Sequence, residues 1–329
     1  MKGSLALLDH LHGRKVAARM ENGRLEDLLI DGPEDGPPPP GTLYRARVDR
    51  PAKGQGGAFV SLPDGSGFLR DGKGLAPGEP LLCQVTGYAE PGKAIPVTSR
   101  VLFKSKLAIV TPGAPGLNIS RSIRDQEQRV RLRAVAESLD VPEGVGVILR
   151  SNAAEADDDA VEDDIAEMLT LASGLAEEVK GPPERLLDGP DAHHLAWREW
   201  GAPDSVETAT GCLEDHGVLD ELDALRGPQA ALKGGGSLFV EPTRALIAVD
   251  VNTGNNFSTG ASLKANIEAS RDLPRQLRLR GLGGQITVDF APLVKKDRKQ
   301  LEQILRAAFR ADPVETALVG WTPLGHFEL

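Results

Sequence analysis

The chain has 329 residues, of which 40% are apolar, and it carries a formal net charge of −10. This length is enough to bury the cores of about two to four subdomains, and the negative balance argues against a general nucleic-acid-binding surface, although local charge decides what docks where. No apolar run approaches the roughly 18 residues of a membrane span, and the N-terminal stretch lacks a signal-peptide core and cleavage site, so we expect a cytoplasmic protein.

The cysteines and the charged stretches limit the kinds of site and surface that the protein can have. Cys83 and Cys212 are the only cysteines and have no CxxC spacing, so we expect two reduced core residues and no cysteine zinc site. Ten acids and no base lie between residues 155 and 178, a run that a solvated helix face explains. Between residues 264 and 310, eleven bases stand against five acids, which is compatible with a polyanionic substrate or with another solvated face.

The N-terminal third is predicted to be rich in β-structure. Alternating apolar runs flank Asn22-Gly23, the strongest short signal for a hairpin, and "DGPEDGPPPPG" at 31–41 breaks the chain. Five short strands between Leu43 and Phe103 then predict a small β-barrel of the OB type. Phe59 and Phe68 either stack on the bases of a single-stranded nucleic acid or belong to the barrel core, and composition does not separate the two.

The rest of the chain is predicted to alternate helices and strands. A helix from about Arg121, the strand "GVGVILRSNA" and an acidic helix over 154–180 form a small α/β unit. After "GPPERLLDGP" and a mixed segment, a last domain starts near Gly234 with a hairpin whose turn is 241–244. Helix 264–280, the strand "GGQITVDFAPL" and an amphipathic helix complete an α/β layer. Pro274 predicts a kink or a restart in the first of these helices, and the second has Leu301, Ile304, Leu305 and Ala308 on one face.

Both buried strands of the last domain end in an aspartate, "IAVD" at Asp250 and "ITVD" at Asp289. If the strands are parallel neighbours, the two carboxylates emerge side by side at the edge where open α/β folds bind ligands. Close carboxylates repel each other unless a cation neutralises them, and Mg²⁺ accepts one or two carboxylates together with water and phosphate oxygens. Asn252, on the same strand face as Asp250, offers a neutral polar group. The alternative is that each aspartate only caps the following loop; the matching pair favours the metal.

Other motifs are weak. The six histidines show no HxxxH or HExxH spacing, and ordinary surface or core roles explain them. Neither GxSxG nor a Walker A motif occurs, and "GQGG" and "KGGG" are lone glycine clusters.

Several motifs resemble the catalytic region of the RNase E/G endoribonucleases. They are "LFVEPTRALIAVDVNTG", "NIEASRDLPRQLRLRGLGG" with "QITVDF", "LYRARVDR…GGAFVSL…GFL" and "LNISRSI…PEGVGVILRSNA". The resemblance spans nearly the whole chain and implies a multi-subdomain α/β fold. Its parts would be an RNase H-like subdomain (1–34 and 184–233), an OB-type RNA-binding barrel (35–103), a sensor of the RNA 5′ end (104–183) and a DNase I-like catalytic subdomain (234–329).

The resemblance also implies roles for individual residues. Asp250 and Asp289 correspond to the family's magnesium-binding aspartates and Asn252 to its supporting asparagine. Arg150 and Ser151 correspond to an arginine and threonine that grip a 5′-monophosphate. RNA contacts fall on Phe59, Phe68, Lys93 and Arg121.

The implied activity is Mg²⁺-dependent cleavage of single-stranded RNA, with Mn²⁺ as an alternative ion, leaving 5′-phosphate and 3′-hydroxyl ends. The cellular role would be processing or decay of ribosomal or messenger RNA.

The sequence departs from the family pattern in places. It stops at "LGHFEL", where the family continues into a zinc-link and a small dimerisation domain, so we expect no structural zinc and no zinc-linked tetramer, and leave other oligomers open. "DFAPL" lacks a second acid near Asp289, and "PVE" after Asp312 replaces arginines that assist 5′-end recognition. Lys104 and Ala108 alter the sensor wall.

Two other functions compete with the nuclease. The chain could be an RNA-binding paralogue with little or no cleavage, but a pure binder does not need paired carboxylates beside a polyanion. A metal-dependent phosphodiesterase acting on DNA or small molecules fits the acid pair alone and is disfavoured by the barrel and the sensor.

Overall fold

A computed structural model of the protein describes residues 3–52, 56–90, 92–255 and 260–329. The chain divides into two compact units. The terminal unit comprises Met1–Leu11, Val16–Leu29 and Pro203–Leu329, and the central unit comprises His12–Lys15 and Ile30–Ala202.

Strands and helices are numbered in chain order over the described residues. The strands are β1 (Ser4–Leu11), β2 (Arg14–Glu21), β3 (Arg24–Ile30), β4 (Leu43–Ala52), β5 (Gly57–Leu62), β6 (Gly65–Leu69), β7 (Pro80–Val85), β8 (Ile95–Thr98), β9 (Phe103–Lys104), β10 (Ala108–Pro112), β11 (Gly116–Ile119), β12 (Val145–Leu149), β13 (Glu184–Leu187), β14 (Ser205–Glu207), β15 (Gln229–Ala231), β16 (Ser237–Pro242), β17 (Ile247–Asn252), β18 (Ile286–Asp289), β19 (Gly320–Trp321) and β20 (Phe327–Glu328). The helices are α1 (Gln126–Ser138), α2 (Asp158–Ala176), α3 (Ala192–Glu199), α4 (Cys212–Asp215), α5 (Val218–Leu225), α6 (Ala261–Leu279) and α7 (Lys295–Ala311).

The first three strands form a four-stranded sheet with β14, in the order β14-β1-β2-β3. Asn22 and Gly23 both adopt positive φ, 53° and 78°, as the two-residue turn of a twisted hairpin requires, so that prediction is confirmed. His12-Gly13 repeats this geometry and forms a second tight turn that the sequence patterns did not single out. Leu7, Val16 and Leu25 pack on α4 and α5 beneath the sheet.

A closed β-barrel forms the first part of the central unit. Its strands follow the order β4-β5-β6-β8-β7, and β7 pairs back with β4. Alternate residues point inward, so that Val60, Leu69, Cys83 and Val97 fill the interior. The predicted small barrel of five strands is confirmed.

A sheet with two helices forms the second part of the central unit. The strand order is β11-β12-β10-β9, with β11 and β12 parallel. Asp125 caps α1 by accepting from the amides of Glu127 and Gln128, and Asp157 caps α2. Helix α2 buries Val161, Ile165 and Ala172, and most of its acids are exposed on the remaining surface, whereas Asp164 accepts from Ser105 and from the Leu107 amide. Most of the acidic run is therefore a solvated helix face.

The C-terminal sheet has six strands in the order β15-β16-β17-β18-β20-β19. Its core joins β16, β17 and β18 to α6 and α7 through residues such as Val249, Val288, Leu273 and Leu301. The predicted turn of the β16–β17 hairpin was two residues too early, because Pro242 still pairs with Ile247 and Thr243 closes the turn onto Leu246.

Helix α6 runs without interruption through Pro274. The predicted restart was therefore wrong, because burial of the apolar face around Pro274 holds the helix together where one backbone bond is missing. On α7, Leu301 and Leu305 are buried, as expected, and Phe309 joins them.

Arg275, directly before the run "QLRLRGLGG", and Arg278 within it are both largely buried and both donate to acceptors of the protein itself. Arg275 donates to the Leu25 carbonyl and to Glu221, 2.9 Å away. Arg278 donates to the Glu26 carbonyl at 2.9 Å and pairs with Asp312. These contacts attach α6 to β3 within the terminal unit, so the motif has a structural role.

Both cysteines are buried and unpaired, as predicted, and burial raises the pKa of the Cys83 thiol to about 12. Among the described residues, no helix is both long and apolar enough to cross a membrane.

Candidate functional site

Asp250 lies two residues before the end of β17, and Asp289 is the last residue of the adjacent parallel strand β18. In the pairing of β17 with β18, Asp250 stands opposite Asp289. The preceding residues, Val249 and Val288, point into the core, and both aspartates are exposed, as the period of two along a strand requires. Neighbouring strands lie about 4.8 Å apart, so the predicted pair of carboxylates does meet at one sheet edge. We refer to Asp250 and Asp289 as the acid pair.

Two polar side chains adjoin the acid pair. The amide nitrogen of Asn252 donates to Oδ2 of Asp250 at 2.5 Å, which fixes one carboxylate oxygen and leaves the other for a ligand. Nε2 of His326 lies 3.9 Å from Oδ1 of Asp289. No sequence pattern pointed to His326, because this residue is brought to the site by the pairing of β18 with β20.

Glycines allow close approach of the backbone behind Asn252. A Cβ on Gly236 would lie 2.4 Å from the Asn252 carbonyl oxygen, and one on Gly254 would lie 2.5 Å from the carbonyl oxygen of Gly235. Gly254 also adopts a φ of +61°, which disfavours other residues. The cluster "KGGG" therefore has a packing role beside the strand end.

Asn266 holds the segment that follows Asp289. This side chain on α6 is fully buried; its Nδ2 donates to the Ala291 carbonyl at 2.9 Å, and its Oδ1 accepts from the Ala291 amide at 3.0 Å. Sequence reasoning missed Asn266, although a polar residue on the apolar face of an amphipathic helix was an available signal.

The acid pair has a donor set that suits a hard divalent cation. Within the described residues, neither aspartate forms an ion pair with a lysine or arginine, and no cluster of three or more His, Cys, Asp or Glu side chains forms a ready-made metal cage. Mg²⁺ binds through one or two carboxylates and keeps several waters, so two exposed carboxylates and a neutral amide fit this ion.

Phe59 and Phe68 lie on the outer face of the barrel. They form a cross-strand pair between β5 and β6 with ring centroids 5.4 Å apart, and neither belongs to the barrel core. The Arg50 guanidinium lies 4.8 Å from the Phe59 ring centroid. Of the two alternatives left open by the sequence, the core role is wrong, and the half-buried rings offer a surface for stacking.

Lys93 and Arg121 are both exposed. Lys93 lies in the loop that precedes β8 and pairs with Glu90 at 2.6 Å. Arg121 follows the end of β11, beside the end of β12 that carries Arg150, because Ile119 and Leu149 are paired in the parallel register. Ser120 donates its amide to the Leu149 carbonyl at 2.8 Å, so the two strand ends are held together.

Arg150 is engaged by groups of the protein itself. Its guanidinium donates to the carbonyls of Ser105 and Lys106, to the Arg198 carbonyl at 2.9 Å and to Glu199 at 2.6 Å. The next residue, Ser151, is exposed and begins a short 3₁₀ turn.

Glu199 is the shared acceptor of three cations. It pairs with Arg150, with Lys104 at 2.8 Å and with Arg198 at 2.7 Å; we call these four residues the Arg150 cluster. Burial lowers the pKa of Lys104 despite this pairing. Burial alone would raise the pKa of Glu199, but the hydrogen bond from Lys104 and the surrounding positive charges together lower it.

Comparisons with known proteins agree with this architecture. The model of the ribonuclease E/G family matches residues 103–204 and 201–329. Since these stretches cover more than half of the chain, the protein belongs to the ribonuclease E/G family.

Individual relatives are distant but extend over most of the chain. Ribonuclease E of Nostoc sp. is 26% identical over 375 residues, which cover 96% of this chain and 54% of that protein. Ribonuclease G of Salmonella typhimurium and that of Escherichia coli are each 27% identical over 353 residues, covering 88% of this chain and 72% of the relative. The chain spans about half the length of the ribonuclease E proteins of Nostoc and Synechocystis.

Proposed function

We propose that this protein is a magnesium-dependent endoribonuclease that cleaves single-stranded RNA during RNA processing or decay. The observation that carries the proposal is the acid pair, two exposed carboxylates in register on adjacent parallel strands without a basic partner among the described residues. Membership of the ribonuclease E/G family supports an RNA substrate, because the relatives are named ribonuclease E and ribonuclease G. The products would carry 5′-phosphate and 3′-hydroxyl ends.

The proposal includes the subdomains inferred from the resemblance. Residues 35–103 form the OB-type barrel, supported by the closed strand order β4-β5-β6-β8-β7. Residues 104–183 form the 5′-end sensor and 234–329 the DNase I-like catalytic subdomain. Residues 1–34 and 184–233 form the RNase H-like subdomain, which the pairing of β1 with β14 supports.

Asp250 and Asp289 would hold the magnesium ion. When bound, Mg²⁺ lowers the pKa of a coordinated water and stabilises the negative charge that develops on the phosphate. Asn252 orients the Asp250 carboxylate through its 2.5 Å hydrogen bond. Asn266 holds the backbone two residues beyond Asp289 and would thereby help to position that carboxylate. Positioning of this kind matters because small displacements of reacting groups reduce rates strongly.

The barrel would bind the RNA strand. Phe59 and Phe68 present their rings on the outer face, where successive bases can stack. Lys93 and Arg121 supply positive charge for the phosphates. Of these two, Arg121 forms no ion pair with the described residues, whereas Lys93 shares its charge with Glu90.

Recognition of a 5′-monophosphate would occur where β11 and β12 end. The Ser151 hydroxyl is exposed and Arg121 lies on the neighbouring strand end. Arg150 would contribute its charge from a guanidinium that internal acceptors hold in place. The proposal therefore includes Arg150 and Ser151 as the 5′-phosphate site, with Ser151 making the more direct contact.

The proposal is tested by cleavage of an A/U-rich single-stranded RNA that carries a 5′-monophosphate. The unmutated protein and Asp289→Asn are compared with magnesium and with EDTA. Glu241→Gln is the matched control, because Glu241 is an exposed acid at the opposite end of the β16–β17 hairpin. We expect internal cuts that require magnesium, survive in the control and vanish in Asp289→Asn.

The second candidate is an RNA-binding paralogue with little cleavage. It is favoured by "DFAPL", which has no second acid after Asp289, and by the lack of a three-ligand cluster among the residues described. RNA binding without any cuts by folded protein in magnesium would select this candidate and refute the nuclease.

A further inference from the structure

Trp197 is an exposed aromatic residue that the proposed catalytic and barrel contacts do not use. It lies on α3, whose Ala192 and Ala196 are buried, yet its own side chain is 56% exposed. The Lys106 ammonium lies 5.4 Å from the centroid of its ring, within the range of a cation–π contact. An indole in this state presents apolar surface to solvent beside a positive charge.

Arg150 connects the two segments that carry this pair. One nitrogen of its guanidinium donates to the carbonyls of Ser105 and Lys106 and to that of Arg198. Arg150 thus holds the backbone of Lys106 directly, and it holds Trp197 through the backbone of the neighbouring residue Arg198. The relative position of Trp197 and Lys106 is thus set by a buried side chain, and does not depend on the weak contact between the two exposed groups.

The charge around the pair is positive. Lys104, Lys106, Arg150 and Arg198 supply four cations, and the carboxylates among them are Glu199 and Asp164. Glu199 is shared among three of the cations, and Asp164 accepts from Ser105 and from the Leu107 amide. Lys106 forms no ion pair with the described residues, so its charge stays available to an anion.

We propose that Trp197 and Lys106 form a binding site for one nucleotide of single-stranded RNA, with the base stacked on the indole and the adjacent phosphate at the Lys106 ammonium. An aromatic surface beside a free cation is the combination that binds single strands without reading their sequence. Arg150 is the positioning residue of this site. The inference rests on the proposed function, because it takes RNA as the ligand.

Binding is measured in the Asp289→Asn background, where the RNA stays intact, by fluorescence anisotropy of a labelled single-stranded 12-mer. We expect Trp197→Ala to weaken binding at least about fivefold, since loss of one stacked base has an effect of this size, and Trp197→Phe to restore most of it. Lys106→Gln should lower the slope of log affinity against log salt by about 0.7, the value for one phosphate on a single strand. Arg133→Gln, an exposed cation on α1, is the control and should leave affinity unchanged.

The outcomes separate the inference from the proposed function. Unchanged affinity in Trp197→Ala, with the unmutated protein cutting RNA, would overturn the nucleotide site and leave the nuclease intact. Failure of the unmutated protein to bind or cut RNA would overturn both. Polyglutamate that binds with Trp197 dependence, while RNA affinity is independent of Trp197, would overturn the RNA site in favour of an acidic protein segment.

Discussion

The acid pair and the Arg150 cluster differ in how exposed their charged groups are and in whether those groups have partners within the protein. At the acid pair, the Asp289 side chain is 63% exposed, and among the described residues its contact is with His326, whose Nε2 lies 3.9 Å from Oδ1. In the Arg150 cluster, the Arg150 side chain is only 14% exposed and has a carboxylate and several carbonyls as acceptors. One region leaves like charges unpaired at a surface, and the other joins its cations to a shared carboxylate and to backbone carbonyls.

This difference distinguishes charged groups that are available to a ligand from charged groups that hold the fold together. Carboxylates without a basic partner on a pair of parallel strands contribute little to folding and are available to hold a cation. A buried guanidinium that loses its acceptors leaves uncompensated charge and orphaned carbonyls. Substitutions at the two regions should therefore separate activity from stability.

Asp250→Asn should have the largest effect, and on cleavage alone. Loss of one of the two carboxylates that we propose to bind magnesium should remove several kcal/mol of transition-state stabilisation, so we expect a fall of about a thousandfold or more in kcat/KM. The midpoint of urea unfolding should stay unchanged, because Asp250 is exposed. Substantial cleavage by the variant would contradict the metal site, and a large loss of stability would contradict the contrast between the two regions.

Arg150→Ala should have its main effect on stability. Removing this largely buried partner should lower the free energy of unfolding by about 3 kcal/mol, measured by urea denaturation. Arg150→Lys is the informative control, because a single ammonium cannot reach all the acceptors that the guanidinium joins, so it should lose most of this stability while keeping the charge. Full stability in Arg150→Lys would show that charge alone matters at this position.

Asn266→Ala should reduce both stability and cleavage. Two buried hydrogen bonds to Ala291 are lost, which should lower the free energy of unfolding by about 2–3 kcal/mol. Cleavage at a temperature where the variant is folded should fall at least about tenfold, because the segment after Asp289 is released. Ser270→Ala removes a buried hydroxyl one turn along the same helix and should leave cleavage unchanged; an equal loss there would show that the effect is not specific to the Ala291 contact.

The sequence predicted the elements better than the contacts between them. Asp250 and Asp289 could be paired in advance, because two matching apolar strands joined through a helix favour a parallel register. Alternation alone left Phe59 and Phe68 ambiguous, because either face of a strand can line a barrel until its register is known. The partners Glu199, Asn266 and His326 come from segments distant in sequence, so no local pattern could connect them to the positions that they hold.

Acid should loosen the start of α3, the helix of Trp197. Asp191 caps this helix by accepting from the His194 amide and pairs with Lys15 at 2.6 Å. Burial alone would raise the pKa of Asp191, but these contacts lower it from 3.8 to about 2. Because the folded-state pKa is depressed, the stabilisation is fully present above about pH 4 and is lost as the pH falls towards 2.

The contribution of Asp191 to stability is measured as the difference in unfolding free energy between the unmutated protein and Asp191→Asn. At pH 7, Asp191→Asn should be less stable than the unmutated protein by about 1–2 kcal/mol, after allowance for the quarter of the side chain that is exposed. This difference in unfolding free energy should shrink as the pH falls from about 4 to 2, where other acids titrate equally in both proteins. A difference that does not depend on pH would show that the carboxylate charge has no role.

The smallest expected effect concerns Lys93, whose ion pair with Glu90 should weaken its attraction for RNA. Its exposed ammonium is partly neutralised by Glu90, 2.6 Å away, and such an exposed pair is worth less than about 1 kcal/mol. Glu90→Gln frees the lysine and removes a nearby negative charge, so affinity for single-stranded RNA should rise about two- to threefold and the salt dependence of binding should steepen. Glu143→Gln, which removes an exposed acid in the loop before β12 without freeing a paired lysine, controls for net charge. If both variants gain equally, long-range charge dominates; if only Glu90→Gln gains, Lys93 binds RNA to the extent that its own ion pair allows.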